Sequence, residues 1–414
     1  MKVTDLKTYV VGTPPPHHGG RNWVFLKITT DDGIEGFGEA YAVPFDARTV
    51  VHLIEDMGER YVIGWDPFKT EKLWRILYGS GYGQHPDLAK MGVISAFEMA
   101  CWDIVGKALN QPVYNLLGGQ YHEKLRSYTY LYPSTDDPVQ GNVSVHCDPE
   151  QAAKRAIDYV KQGFTAVKLD PILDLMSPFD PRDLSLEALD NAEAVVRSVR
   201  EAVGNRCDIL IGTHGQMTTH SAIRLAKRLE KYDPLWFEEP VPPENVEEMA
   251  RVARFTSIPI ATGERLSTVY EFSELLEKQA AAILQMALGR VGGIMEAKTI
   301  AGMAEAHYAQ IAPHLFCGPI EGAANIQIDT CSPNFLIQES IETWGGFHAE
   351  ILKEPIQWED GYIIPPTKPG LGVEINEEVV AKHPYSPVDP GVWHWETSTD
   401  IDGRRIGPEG AGED

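Results

Sequence analysis

Residues 235–240 read LWFEEP and residues 258–265 read IPIATGER, and these stretches carry the strongest fold signal in the chain. Each is a short apolar run that ends in a glutamate: Glu238 in the first and, 26 residues later, Glu264 in the second. Short apolar runs of this kind are typical of buried strands. In a parallel barrel, the residues that follow the strands meet at one end. We therefore expect both carboxylates to be directed towards one point.

The same alternation of apolar strands and amphipathic helices continues from residue 125. Strands are predicted at 127–130, 166–169, 209–211, 235–237, 258–261, 282–285, 310–312 and 334–337, with helices near 149–162, 185–203 and 218–231. A strand followed by a helix, repeated about eight times, predicts an α/β fold with a parallel (β/α) barrel.

The N-terminal part of the chain has a different pattern. Strands are predicted at 8–11, 23–28 and 34–39, with a turn at 31–33 and helical periodicity at Ile94, Phe97, Cys101 and Ile104. We expect an α+β domain over residues 1–124, a barrel over 125–372 and a C-terminal segment over 373–414. The tail from about residue 400 is rich in Gly and charge and is predicted to fray.

Composition limits the classes of partner. The 414 residues carry a formal net charge of −24, which disfavours nucleic acids and anionic membranes as partners. We find no apolar run near the ~18–20 residues of a membrane helix and no signal-peptide core at the N-terminus. Five scattered cysteines without a CxxC pair favour a reducing compartment, and we expect a cytoplasmic protein.

Carboxylates at strand ends are candidate metal ligands. Glu238 and Glu264 offer the oxygen donors that Mg²⁺ prefers. Alternatively, they are surface or salt-bridged glutamates. Arg265 either pairs with a carboxylate nearby or is an ordinary charge at the rim.

Two histidines follow predicted strands and are candidates for acid–base chemistry. His314 follows the seventh strand, where an imidazole near neutral pKa could remove an α-proton. His214 follows the third strand, where a protonated imidazole could donate to a departing hydroxyl. The alternatives are a structural histidine and a turn residue beside Gly215.

Further polar residues near strand ends and in loops complete the candidate site. Lys168 and Asp170 lie on the same side of the second strand, either as a catalytic pair or as a structural salt bridge. Gln216, Arg265 and His85 are the predicted substrate contacts. His85 lies in a loop that, like residues 14–21, mixes polar groups with glycine as a flexible lid would, or is an ordinary surface loop.

Several motifs in a fixed order identify a family. They are ACWDIVGK at 100–107, WFEEP at 236–240, ATGERL at 261–266, APH at 312–314, GPI at 318–320 and LIQE at 336–339. With them, nearly the whole chain resembles the mandelate racemase subgroup of the enolase superfamily, and within it the galactonate-type acid-sugar dehydratases. The resemblance implies a modified (β/α)₇β barrel with an α+β capping domain.

The resemblance also implies chemistry. Mg²⁺ would be the cofactor, with Glu238 and Glu264 as ligands, and a small acid sugar would be the substrate. His314 would be the base and His214 the acid, while Glu339 would contact the substrate or the intermediate. Removal of the α-proton gives an enediolate, and loss of the β-hydroxyl completes a dehydration. Homo-oligomers are common in such a family, and we expect one here.

This chain departs from the family pattern at two positions. Gly212 stands where the family usually has an aspartate as third metal ligand, and Asp170 or His214 would have to fill the gap. Ala287 stands where an aspartate usually supports the base. These two departures motivate one alternative, a degenerate barrel that binds acid sugars without turnover. The other alternative is an epimerase, racemase or cycloisomerase of an acid sugar, which shares the removal of the α-proton and differs in what happens to the intermediate.

Overall fold

The computed structural model of this chain describes residues 1–41, 45–133, 143–172 and 182–387. The chain divides into two units. The first comprises Met1–Thr129, Thr262–Glu277 and Ala282–Ser386, and the second comprises Tyr130–Ala261, Lys278–Ala281 and Pro387–Asp414. The domain boundaries predicted after residues 124 and 372 remain predictions, and the tail predicted to fray lies outside the described residues. Within those residues, no helix has the length and apolar character needed to cross a membrane.

The first unit begins with a three-stranded antiparallel sheet, which confirms the N-terminal strands predicted from the sequence. Its strands are β1 (Val3–Gly12), β2 (Asn22–Thr30) and β3 (Glu35–Ala40). The turn between β2 and β3 contains Gly33 with φ at 79°, a left-handed conformation that glycine adopts at little steric cost.

Helices follow this sheet in the first unit. They are α1 (Ala47–Met57), α2 (Thr70–Gly79), α3 (Leu88–Ala108) and α4 (Val113–Leu116), and they are followed by β4 (Leu125–Tyr130). The sheet is covered by α1 and α3, while α2 and α4 pack on α3. The close approach of α3 to β3 requires glycine, because a Cβ on Gly38 would lie 1.9 Å from the carbonyl oxygen of Ala96. The apolar residues predicted to share one face of a helix all lie on α3 and are buried in this core: Ile94, Phe97, Cys101 and Ile104.

The second unit consists of parallel strands that alternate with helices, as predicted. Its elements are α5 (Val143–Cys147), α6 (Pro149–Gln162), β5 (Ala166–Leu169), α7 (Leu186–Val203), β6 (Asp208–Ile211), α8 (Thr219–Leu229), β7 (Trp236–Glu238), α9 (Val246–Arg254) and β8 (Ile260–Thr262), whose last residue belongs to the first unit. The strands pair in parallel register, with Leu169 opposite Ile211 and Glu238 opposite Ala261. Consecutive strands therefore end at the same edge.

Polar caps explain why the helices of the second unit begin where the sequence predicts. The side chains of Asp148, Ser185 and Thr218 each accept a hydrogen bond from a backbone N–H in the first turn of α6, α7 and α8. Such caps satisfy amides that have no partner within the helix. Because the cap is a local feature, these three helices start within one residue of the predicted positions.

The remaining elements belong to the first unit. They are α10 (Val269–Glu277), β9 (Ile283–Leu284), α11 (Leu288–Val291), α12 (Ile294–Ala306), β10 (Gln310–Ile311), α13 (Pro319–Thr330), β11 (Gln338–Ser340), α14 (Phe347–Glu350), β12 (Gln357–Glu359), β13 (Tyr362–Ile364) and α15 (Glu377–Val380). The strand predicted at 334–337 is displaced along the chain. Phe335 forms only an isolated bridge to Ile311, and β11 starts where pairing with β4 begins, at Gln338 opposite Ser127.

Candidate active site

A buried ion pair joins two strand ends of the second unit. Lys168 is on β5 and Glu238 is the last residue of β7, and their Nζ and Oε1 atoms lie 2.5 Å apart. Each side chain is only 2% exposed. The other oxygen of Glu238 accepts a hydrogen bond from Trp236 Nε1 at 2.9 Å. Both carboxylate oxygens are therefore engaged by donors within the unit.

Gly212, the residue that follows β6, leaves the space through which Lys168 extends. A Cβ at this position would lie 3.2 Å from Lys168 Cε. The ammonium group also lies over the ring of Tyr130, 5.6 Å from the ring centroid. An aromatic face at this distance attracts a cation.

A second acid–base pair lies in the same unit. His214 Nδ1 is 2.7 Å from Asp170 Oδ2, and Asp170 is fully buried while the His214 side chain is 35% exposed. Asp170 Oδ1 accepts a hydrogen bond from the backbone N–H of Ile172. His214 adopts a φ of 49° in the turn after β6. The carboxylate fixes the imidazole through Nδ1, which leaves Nε2 as the nitrogen for proton exchange. We call Lys168, Asp170, His214 and Glu238 the second-unit cluster.

The first unit places His314 between two carboxylates. His314 Nδ1 lies 3.2 Å from Glu264 Oε2 and 3.0 Å from Glu339 Oε2. Glu339 Oε2 also accepts a hydrogen bond from the backbone N–H of Leu315 at 2.8 Å. All three side chains are largely buried. Two carboxylates at ion-pair distance favour a proton on Nδ1, which leaves Nε2 to accept one.

Tyr41, which follows β3, reaches the other side of this imidazole. Its hydroxyl lies 3.5 Å from His314 Nε2, and the two rings are stacked with centroids 5.9 Å apart and planes inclined by 21°. The Arg290 guanidinium lies 3.7 Å from the centroid of the Tyr41 ring and donates to the backbone carbonyl of Glu264. Burial raises the pKa of the Tyr41 hydroxyl, so it stays protonated and is able to donate. We call Tyr41, Glu264, Arg290, His314 and Glu339 the first-unit cluster.

The sequence analysis missed Tyr41 and Arg290 because neither directly follows a predicted barrel strand. Tyr41 is separated from His314 by 273 residues. Arg290 lies three residues beyond Ala287, the position where a supporting aspartate was expected. We find no signal in the sequence that would have joined Tyr41 to His314.

The three residues predicted to contact the substrate lie in different surroundings. Arg265 is partly buried and directly follows Glu264, while Gln216 is buried in the turn that follows His214. His85 is exposed, and its Nδ1 lies 2.8 Å from the carbonyl oxygen of Pro86 in its own loop. Binding of substrate by these three residues stays a prediction.

Family models cover most of the chain. Residues 16–118 match the N-terminal domain of mandelate racemase and muconate lactonizing enzyme, and residues 151–379 match the enolase C-terminal domain-like family. This chain belongs to the mandelate racemase subgroup of the enolase superfamily. It therefore has the fold class predicted from the sequence, a modified (β/α)₇β barrel with an α+β capping domain.

Individual members of the superfamily match over nearly their whole length. A D-galactonate dehydratase of Cronobacter sakazakii is 38% identical over 390 residues, which cover 92% of this chain and 94% of that protein. One from Ralstonia nicotianae is 38% identical over 398 residues, 94% of this chain and 96% of that protein. The crystal structure of a mandelate racemase/muconate lactonizing enzyme from Sulfitobacter is 47% identical with a TM-score of 0.89, covering 94% of this chain and 96% of that one.

The enolase-superfamily cofactor, Mg²⁺, can be tested against the donors of this chain. Glu238 and Glu264 supply carboxylate oxygens, which are the donors that Mg²⁺ prefers. Glu238, however, already engages an ammonium and an indole N–H, and Asp170 engages His214. Within the part of the chain that the structure describes, no three His, Cys, Asp or Glu side chains are arranged to hold a metal ion. The described residues therefore do not fit a three-carboxylate magnesium site.

Proposed function

We propose that this chain is a hydro-lyase that removes water from an acid sugar of the aldonate type to give a 2-keto-3-deoxy acid. The observation that carries the proposal is His314, whose Nδ1 faces Glu264 and Glu339. The 38% identity to D-galactonate dehydratases over 92% of the chain supports the substrate class.

In the first step, His314 removes the proton on the carbon next to the substrate carboxylate. Because Nδ1 faces two carboxylates at ion-pair distance, Nε2 accepts that proton. A base of this kind depends on a partner that fixes the ring. With alanine at position 287, Glu264 and Glu339 take over that role in this chain.

In the second step, His214 supplies a proton to the β-hydroxyl. Asp170 holds Nδ1, and the partly exposed imidazole gives up its Nε2 proton. The C–O bond breaks as the electron pair of the enediolate forms the new C=C bond, and the hydroxyl leaves as water. The resulting enol converts to the keto acid. One proton is taken by His314 and one is given by His214, so the protons balance.

The enediolate carries negative charge that must be stabilised. Mg²⁺, the cofactor that the family implies, would supply Lewis-acid stabilisation when bound. Glu238 and Glu264 are the two predicted ligands that this chain retains, but the described surroundings of Glu238 do not fit such a role. Lys168 is a positive group of the second-unit cluster and is proposed to contribute positive charge.

A product assay tests this proposal. The protein is incubated with a library of acid sugars in D₂O, and keto acids are trapped as semicarbazones. Absorbance from a trapped keto acid, with loss of water, supports the dehydratase. Deuterium at the α-carbon without loss of water would instead indicate an epimerase or racemase. No reaction with any acid sugar would contradict an enzymatic function and favour a non-catalytic binding protein.

A further inference from the structure

The Lys168 side chain is enclosed by groups suited to a cation. Its ammonium contacts the Glu238 carboxylate at 2.5 Å and lies over the Tyr130 ring. At 2% exposure the ion pair is shielded from water, which leaves the attraction between the two charges largely unscreened. Removing either partner would leave a buried charge without its counter-ion.

Gly212 belongs to the same arrangement. This residue stands where the family usually has a metal-binding aspartate, and it contributes no side chain. A Cβ at this position would already lie within 3.2 Å of Lys168 Cε, a tighter contact than ordinary packing. Gly212 therefore has two effects: it supplies no carboxylate, and it leaves space for the Lys168 side chain.

We propose that in this chain the Lys168 ammonium takes the electrostatic place of a divalent cation at Glu238, and that Gly212 makes this exchange possible. Two cations that share one carboxylate repel each other, so Mg²⁺ binds weakly while Lys168 is in place. The inference concerns a residue of the proposed active site, but it does not depend on the dehydratase reaction, because its readout is ion binding.

The experiment measures binding of Mn²⁺ alone, as a paramagnetic probe that accepts the same oxygen donors as Mg²⁺. The full-length protein is freed of metal with a chelator, exchanged into buffer at about pH 8, well above the ordinary pKa of a carboxyl group, and titrated by EPR. The variants are Lys168→Met, which keeps an unbranched stem up to the position of Cε without the charge, and Gly212→Asp, which adds a carboxylate. The φ of Gly212 lies outside the left-handed region, so the backbone accepts aspartate. Lys161→Met, on an exposed surface of the same unit, is the matched control.

The wild type is expected to bind Mn²⁺ weakly. Lys168→Met should bind about tenfold more tightly or better, because removal of a competing charge leaves Glu238 to the ion. Gly212→Asp, which keeps the lysine, should also gain affinity, and Lys161→Met should not. Circular dichroism confirms that each variant is folded, and Lys168→Gln, which also removes the charge, keeps the test decisive if Lys168→Met does not fold.

Two results would overturn the inference. One is tight Mn²⁺ binding by the wild type that Lys168→Met leaves unchanged or weakens. The other is weak binding by all folded variants, which would mean that Lys168 is not what opposes the ion. Neither result bears on the product assay. If the product assay contradicts the dehydratase proposal while Mn²⁺ binding follows the expected pattern, the inference about Lys168 still holds.

Discussion

The two clusters distribute charge in different ways. The second-unit cluster pairs each of its carboxylates with one basic side chain, whereas the first-unit cluster places two carboxylates on Nδ1 of one imidazole, His314. One-to-one pairs fix the positions of their members. An imidazole whose Nδ1 faces two carboxylates at ion-pair distance is instead prepared to take up a proton at Nε2. The difference suits the second-unit cluster to delivering a proton and the first-unit cluster to accepting one.

The largest expected effect is that of His314→Asn. An amide cannot accept the α-proton, so the rate of keto acid formation should fall by about 10³-fold. Exchange of the α-proton with deuterium should fall by a similar factor, as followed by NMR. His307→Asn, an exposed histidine of the same unit, is the matched control. Exchange that persists in His314→Asn would remove this residue from the role of base.

His214→Asn should separate the two clusters. Loss of the acid should lower the rate of dehydration by about 10²-fold, because the β-hydroxyl must leave without a proton. Exchange of the α-proton should continue, since the first-unit cluster is unchanged. Both rates can be measured in one D₂O incubation by NMR. The exposed His220→Asn serves as control. Equal loss of both rates would contradict the assignment of separate steps.

Tyr41→Phe tests how much the hydroxyl adds to the first-unit cluster. The variant keeps the ring that stacks on His314 and loses only the hydroxyl 3.5 Å from Nε2. The hydroxyl orients the ring before the substrate proton replaces it at Nε2. One hydrogen bond contributes about 0.5–1.5 kcal/mol, so loss of this orientation should lower kcat about fivefold while KM changes little. Tyr41→Leu, which also loses the ring, should lower kcat further. A change confined to KM would show that Tyr41 acts on the substrate and not on the base.

The fold was predictable because its signals are local. Each of the strands β5 to β8 is itself an apolar run. The capping residues directly precede the helices that they start: Asp148, Ser185 and Thr218. The start of β11 was not predictable from the apolar run at 334–337, since it depends on where β4 offers a partner.

The candidate site was predictable in part. Functional residues of a barrel lie just after its strands, and this rule selected Glu264, His314 and Glu339, which the structure brings together. It also selected Lys168 and Glu238, which form an ion pair. The rule could not say which carboxylate pairs with which base, because pairing depends on side-chain reach between strands. The interpretation of Lys168 and Asp170 as partners of each other left out the bonds that the structure shows to Glu238 and to His214.

The smallest expected effect concerns a further acid of the first unit, Glu39. Its two carboxylate oxygens accept hydrogen bonds from the backbone N–H groups of Gly318 and Glu321 at the start of α13. Burial, with the nearby Glu321 carboxylate, raises the pKa of Glu39 to about 8. As at His314, two acidic side chains, here Glu39 and Glu321, are buried close together in the first unit.

The sign of the pH dependence follows from this raised pKa. Between its ordinary value of 4.5 and about 8, folded Glu39 keeps a proton that the unfolded chain has released. Raising the pH across this window therefore favours unfolding, with a slope of at most about 1.4 kcal/mol per pH unit from this group. Glu39→Gln removes the titration, so its free energy of unfolding should fall less between pH 5 and pH 8 than that of the wild type. Urea unfolding at several pH values measures the difference, with the exposed Glu59→Gln as control. Parallel curves for wild type and Glu39→Gln would show that Glu39 is ionised in the folded chain, held by its two amide donors against the cost of burial.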